Sequence, residues 1–293
     1  MSKSVALVLS SGGARGVAHI GVIEALERQG YTISAIAGSS MGAVVGGVYA
    51  AGRLSEYKKW MCELDKLDVF KLLDFTLSTQ GFVRGERVFN EMKKFIDDCD
   101  IENLNIPFKA VATDIVNKKE VIFEKGSLYT ALRASAAIPS VLKPSIIDNV
   151  ELVDGGVLNP LPVKHVKRQD HDLLVVSDVN ADVPNTFPSQ KKEETTKLSP
   201  LLERWSSIFP TNSTSKVKRL SLFEIFARSI DLMQDKISDY IIESHRPDIV
   251  IKISRDICST FEFYRSKELI EHGFNETEKV LENELQGNQQ TGW

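Results

Sequence analysis

The first fifty residues switch between two kinds of hydrophobic run. Residues 5–9, Val5-Ala6-Leu7-Val8-Leu9, form an uninterrupted apolar block closed by serines and glycines. A block that short and that apolar predicts a strand buried on both faces. From about residue 17 to 29 the rhythm becomes helical. Ile20 and Ile23 make an apolar stripe beside the charged Glu24 and Glu27, and Gly30 fits the position just past a helix end. A second β-branched run, residues 33–37, leads into small residues from 41 to about 50 that read as a second helix. Strand, helix, strand, helix in close succession predicts a largely parallel sheet covered on both faces.

Farther along, residues 54–100 read as mostly helical, interrupted at 74–81. Strand signals return at 108–114 and 120–124, with Asn117-Lys118-Lys119 between them as a hairpin-like turn. A helix is expected over 128–137, stopped by Pro139, and a buried strand over 173–179. The composition then turns polar. Residues 180–218 are rich in Pro, Ser, Thr and Lys around one apolar island, Trp205, Ile208 and Phe209. A stretch of that length predicts an excursion of the lid or flap kind. A helix over 220–244, a strand over 249–253, a helix over 274–285 and a polar tail, 286–293, complete the pattern. With no repeat and no composition break marking a boundary, residues 1–293 are expected to form a single domain.

Composition narrows the function classes. The chain is 42% hydrophobic and 26% charged with a formal net charge of -4, which gives no sign of general nucleic-acid affinity. Two basic groups, Lys164 to Arg168 and Lys216 to Arg219, read as solvated helix ends or loops, with a transient contact to anionic headgroups left open. Cys62, Cys99 and Cys258 are odd in number and far apart, so they suggest neither a disulfide framework nor a zinc site and fit a reducing compartment. Residues 5–9 are too short for a signal peptide. The charge-free gap between Gln29 and Arg53 is long enough to cross a bilayer, but its six glycines fit a strand joined to a close-packed helix better. The expectation is a soluble, cytoplasmic protein, with contact at the inner face of the membrane left open.

The chemistry centres on Gly38-Ser39-Ser40-Met41-Gly42. A G-x-S-x-G between a strand and a helix describes a nucleophile elbow, in which a tight turn exposes the serine hydroxyl at a helix N-terminus. The turn after the first strand, Ser10 to Gly16, fails the dinucleotide fingerprint because Ser11 stands where the first glycine belongs. It also lacks the Gly-Lys-Ser/Thr of a phosphate loop. What remains is a run of small residues whose N–H groups favour an anion, such as the oxyanion of an attacked carbonyl. Arg15 reinforces that site or caps a surface; its position allows either.

Ser40 needs a base. His19, His165, His171, His245 and His272 all lie in helices or charged connections, outside the glycine-framed turns that present catalytic groups. Asp154, by contrast, ends a buried segment and precedes Gly155-Gly156. A carboxylate there either takes the serine proton, if burial raises its pKa, or simply caps the turn.

The chain resembles the patatin-like phospholipases, in particular the bacterial single-domain type. Ser11-Gly12-Gly13-Ala14-Arg15-Gly16 is similar to that family's glycine-rich oxyanion loop, and Gly38 to Gly42 to its nucleophile motif. Ala134-Ser135-Ala136-Ala137-Ile138-Pro139 resembles its alanine/serine–proline block and Asp154-Gly155-Gly156 its D-G-[GA] motif. The four stand in the expected order within residues 5–162. The resemblance implies a three-layer α/β/α sandwich with a mostly parallel sheet. It also implies a lipid acyl hydrolase, a serine esterase of phospholipase A or lysophospholipase type, that needs no cofactor and no metal. Ser40 would be the nucleophile, Asp154 the base, and Gly12, Gly13 and Ala14 the oxyanion donors with Arg15 beside them. Ser11 is the one departure, since the family usually has glycine there. Phospholipids and lysophospholipids are the implied substrates. A small-ester or thioester hydrolase and a regulatory protein with a vestigial site are the alternatives. Two sets of apolar residues are candidates for an acyl funnel: Phe70, Leu72, Leu73, Phe75, Leu77 and Phe82, and the island at Trp205, Ile208 and Phe209.

Overall fold

The computed structural model describes residues 3–72, 86–139, 141–186 and 222–290. The first apolar block is strand β1 (Lys3–Leu9), followed by a 3-10 turn, Gly13–Val17, and helix α1 (Ala18–Arg28). Strand β2 (Tyr31–Ser39) then runs into helix α2 (Met41–Ala50). Three short helices follow, α3 (Leu54–Glu63), α4 (Lys66–Leu72) and α5 (Glu86–Met92). Strands β3 (Phe108–Asp114) and β4 (Lys119–Phe123) form the expected hairpin, with Lys118 at positive φ in its turn. Helix α6 (Leu128–Ser135), strands β5 (Ser145–Ile147), β6 (Val150–Asp154) and β7 (Leu173–Ala181), helix α7 (Leu222–His245), strand β8 (Ile249–Ser254) and helix α8 (Ser266–Gln290) complete the chain.

The sheet runs β5-β6-β3-β2-β1-β7-β8, with β4 on the other edge of β3. Five strands, β3 to β8 through β2, β1 and β7, are mutually parallel; β4 and β6 run against them, and β5, antiparallel to β6, shares the direction of the five at the sheet edge. Burial on both faces explains why β1 reads as a solid apolar block. Val5, Leu7 and Leu9 pack with α1, α2 and α8, while Val8 packs on the opposite face with Leu174, Val176 and the α7 residues Ile241 and Ile242. The expected α/β architecture, a mostly parallel sheet with helices on both sides, is what forms.

Three elements differ from expectation. The β5–β6 hairpin lies in a stretch whose pairing was not anticipated; its turn residues Asp148 and Asn149 both adopt positive φ, 50° and 61°, as a type I′ turn requires. Helix α6 ends at Ser135, two residues early, because the chain peels away there and the Ala137 carbonyl accepts the Asp154 N–H instead. Helix α8 begins eight residues before the expected start and takes in residues 286–290 of the expected polar tail. Gly273 interrupts its apolar pattern for a packing reason, since a Cβ there would stand 2.1 Å from the Ala18 carbonyl oxygen of α1. The expected lid falls mostly on residues 187–218, which lie outside the described residues.

The pairing of β3 builds the site. One edge of β3 is held by β4 from Ala110 to Asp114. The other is shared: β2 pairs with its first half, ending at Ser39 opposite Val111, and β6 with its second half, ending with Asp154 opposite Ala112. β2 and β6 run in opposite directions, so their C-terminal ends abut. Residues more than a hundred positions apart in sequence thereby become neighbours.

Candidate active site

Ser40 occupies the turn from β2 into α2 with φ 54° and ψ -124°, a conformation that costs a non-glycine residue about 1–3 kcal/mol. The flanking glycines make the turn feasible. A Cβ on Gly38 would lie 2.5 Å from backbone atoms of Gly42 and Ala43, and one on Gly42 would lie 2.3 Å from the Leu9 carbonyl oxygen. Ser135 holds the strained residue in place. Its Oγ accepts the Ser40 N–H at 2.9 Å and donates to the Val111 carbonyl at 2.6 Å.

The Ser40 hydroxyl donates to Asp154 Oδ2 at 2.5 Å, and the other carboxylate oxygen accepts the Gly156 N–H at 2.8 Å. Both side chains are buried, 3% and 4% exposed. Burial raises the Asp154 pKa to about 6, against the lowering effect of the hydrogen bonds from Ser40 and Gly156. Capping and base chemistry are therefore compatible: one oxygen caps the turn while the other faces the serine. A carboxylate in this range can take and return a proton near neutral pH.

The glycine turn lies against the same spot. Gly12, Gly13, Arg15, Ser40 and Asp154 share the lining of one cleft. The Ala14 N–H donates to the Thr260 carbonyl at 2.8 Å, so Ala14 is corrected from oxyanion donor to anchor of the loop. Among the described residues, the N–H groups of Gly12 and Gly13 have no protein acceptor. Arg15 is buried, and its guanidinium donates to Asn180 Oδ1 at 2.9 Å and, more loosely, to Asp231 Oδ1 at 3.4 Å. The arginine joins the glycine turn to β7 and α7. Ser11 fits the turn without strain, donating its N–H to Pro160 and accepting Asn180 Nδ2 at its carbonyl.

His19 lies beneath the turn with no exposed surface. Its Nε2 donates to the Ser10 carbonyl at 3.0 Å, which makes Nδ1 the acceptor for Ser177 Oγ at 2.9 Å. Burial pushes its pKa down to about 4, so it stays neutral and holds the loop. Among the described residues, no group of three His, Cys, Asp or Glu side chains is arranged for a metal ion.

Ser40 stands between two lobes of a cleft. The apolar lobe takes in about 820 Å³, part of it open to solvent, and is lined by Met41, Val44, Tyr57, Met61, Phe89 and Met92 among others. The second lobe is mixed: Ser11, Arg15, Asp231, Gln234 and Thr260 share its walls with Ile138, Val141, Val157, Ile230 and Phe261. Of the expected funnel residues, Leu72 lines the apolar lobe and Phe70 does not; Leu73, Phe75, Leu77, Phe82, Trp205, Ile208 and Phe209 lie outside the described residues. The lining on α3 and α5 was missed because Tyr57, Met61, Phe89 and Met92 read as ordinary helix-core positions. Ser135 carried one signal, its place in a block of small residues before Pro139.

The family model described as patatin-like phospholipase matches residues 7–167. An uncharacterized NTE family protein of Mycobacterium tuberculosis is 33% identical over 93% of this chain and 89% of its own length. Lysophospholipase NTE1 of Scheffersomyces stipitis is 25% identical over 96% of this chain, which matches only 18% of that larger protein. The crystal structure of VipD from Legionella pneumophila superposes with a TM-score of 0.50 at 13% identity, covering 96% of this chain and 67% of that one.

Proposed function

The chain belongs to the patatin-like phospholipase family, and from that premise we propose that it hydrolyses carboxylic esters of phospholipids or lysophospholipids through an acyl-Ser40 intermediate. The observation that carries this is the 2.5 Å hydrogen bond from a strained, buried serine to a buried carboxylate. Asp154 takes the Ser40 proton as Oγ attacks the ester carbonyl, and the amides of Gly12 and Gly13 hold the tetrahedral oxygen. The protonated carboxyl passes its proton to the leaving alcohol. A water molecule, deprotonated by the same carboxylate, attacks the acyl-serine and releases the fatty acid.

The two lobes support a division of the substrate. An acyl chain enters the apolar lobe and leaves its hydration water behind, which favours binding by ~0.8 kcal/mol per buried methylene. The alcohol half departs through the second lobe, where Arg15, Asp231, Gln234 and Thr260 offer polar contacts. Three free cysteines, Cys62, Cys99 and Cys258, support a reducing, cytoplasmic setting.

A chain-length series tests the assignment. Met92 is 1% exposed and lines the apolar lobe, so Met92→Trp takes space from the acyl chain. The expected result is a drop of about tenfold or more in the ratio of kcat/KM for a dodecanoyl ester over a butyryl ester. An unchanged ratio in a folded variant would remove the acyl chain from that lobe.

A further inference from the structure

Helix α7 is amphipathic in the wrong sense over the half that borders the site. A helix on a water-soluble surface turns its apolar stripe inward. Here, among the described side chains, the inward residues other than Ile230 are polar: Asp231 meets Arg15, Gln234 accepts from Ser11 Oγ at 3.5 Å, Asp235 pairs with Arg255, and Ser238 is buried. The outward residues are apolar: Ile225, Leu232, Met233 and Tyr240 are 47%, 62%, 57% and 72% exposed. Their spacing places all four on one stripe, which also carries the exposed Ser229 and the Lys236–Asp239 ion pair, with Arg228 at its border and Glu243 at its C-terminal end. The C-terminal part of the helix is conventional, with Ile241 and Ile242 packed against the sheet.

We propose that the outer face of α7 is the surface by which the protein docks on a lipid aggregate, resting on the reading of the adjacent cleft as a lipid ester site. Position argues for that occupant. Ile230, Asp231 and Gln234 line the second lobe beside Ser40, so the inner and outer faces of one helix serve the mouth and the surface. A helix is about 10 Å across, which is the distance a lipid must cross from an aggregate touching the stripe to the cleft. The residue types fit an interface as well. Leu and Met enter the acyl boundary, Tyr sits at headgroup level, and Arg228 reaches phosphates with its stem along apolar surface, while Lys236 is paired with Asp239. Apolar contact dominates, because the chain as a whole is acidic and so is not attracted to anionic lipid by net charge.

The test uses the full chain and vesicles of phosphatidylcholine containing some phosphatidylglycerol. Wild-type protein should co-sediment with them and still do so in about 0.5 M salt, where exposed charges are screened. Leu232→Glu/Met233→Glu should lose vesicle affinity by about tenfold or more while butyryl ester turnover stays within about twofold of wild type. Butyryl ester turnover also reports that the variant is folded; if neither protein cleaves the ester, circular dichroism takes over that control and the sedimentation result still decides. A conservative pair, Leu232→Ile/Met233→Leu, should bind like wild type. Equal binding by the glutamate variant, binding lost in salt, or no binding by wild type would overturn the proposal. So would a wild-type dimer that the glutamate variant turns into a monomer with vesicle binding unchanged, since the face would then belong to a second copy.

Discussion

Asp154→Asn will lower kcat for ester hydrolysis by about four orders of magnitude and raise the melting temperature. The amide still accepts the Gly156 N–H and still reaches Ser40, so the turn survives, but it cannot take a proton. In the wild type, activity requires the ionised carboxyl. With its pKa raised to about 6, kcat/KM should therefore climb tenfold per pH unit up to about pH 6 and level off above it. The residual rate of the asparagine variant should lack that limb. The stability effect has the opposite sign. The folded-state pKa exceeds the unfolded value of 3.8, so the stabilising contribution of the protonated group is fully present below 3.8. It is lost as pH rises through about 6. At pH 8 the buried charge costs on the order of 3 kcal/mol, which asparagine removes. Parallel rate profiles and melting curves between pH 5 and 8 read both effects.

Gly13→Val should be the next most damaging change. Gly13 has φ +54°, and a Cβ there would lie 2.6 Å from Thr260 Cγ2 and 2.7 Å from the Thr260 carbonyl oxygen. That carbonyl is the anchor of the Ala14 N–H, so a branched side chain pushes the loop off its support and turns the Gly12 and Gly13 amides away. Losing one oxyanion donor costs about 10²–10³ in kcat, roughly 3–4 kcal/mol. The expected result is a loss of that size in kcat with KM changed much less, measured on a soluble ester in a protein whose melting remains cooperative. Wild-type kcat in folded Gly13→Val would locate the oxyanion elsewhere.

The parts of the site that a short motif describes were readable from the chain alone. Gly38 to Gly42 announced a strained turn because two small residues must flank it, and Asp154-Gly155-Gly156 announced a carboxylate at the end of a buried segment. The two could not be joined from spacing. What joins them is the shared edge of β3, where β2 ends at Val111 and β6 at Ala112, and antiparallel pairing at a distance leaves no periodic trace. The β5–β6 hairpin was missed for a related reason: strands of three and five residues are too short for alternation to show, and the Asp148-Asn149 turn carries no glycine to mark it. Ala14 was named an oxyanion donor by its position in the resembling motif, and a motif carries no sign of Thr260, whose carbonyl folding brings across to accept the Ala14 N–H. The inverted polarity of α7 was hidden as well, since a helix with polar and apolar stripes reads the same whichever faces inward.

The central claim is that Ser40 carries the acyl group. Incubation with a long-chain alkyl fluorophosphonate, followed by proteolysis and mass spectrometry, tests it directly because the adduct mimics the attacked ester and stays on the nucleophile. One alkylphosphonyl group on the peptide containing Ser40, absent from Ser40→Ala and strongly slowed in Asp154→Asn, is the predicted result. Phosphonylation of another residue, or undiminished labelling of Ser40→Ala, would contradict it.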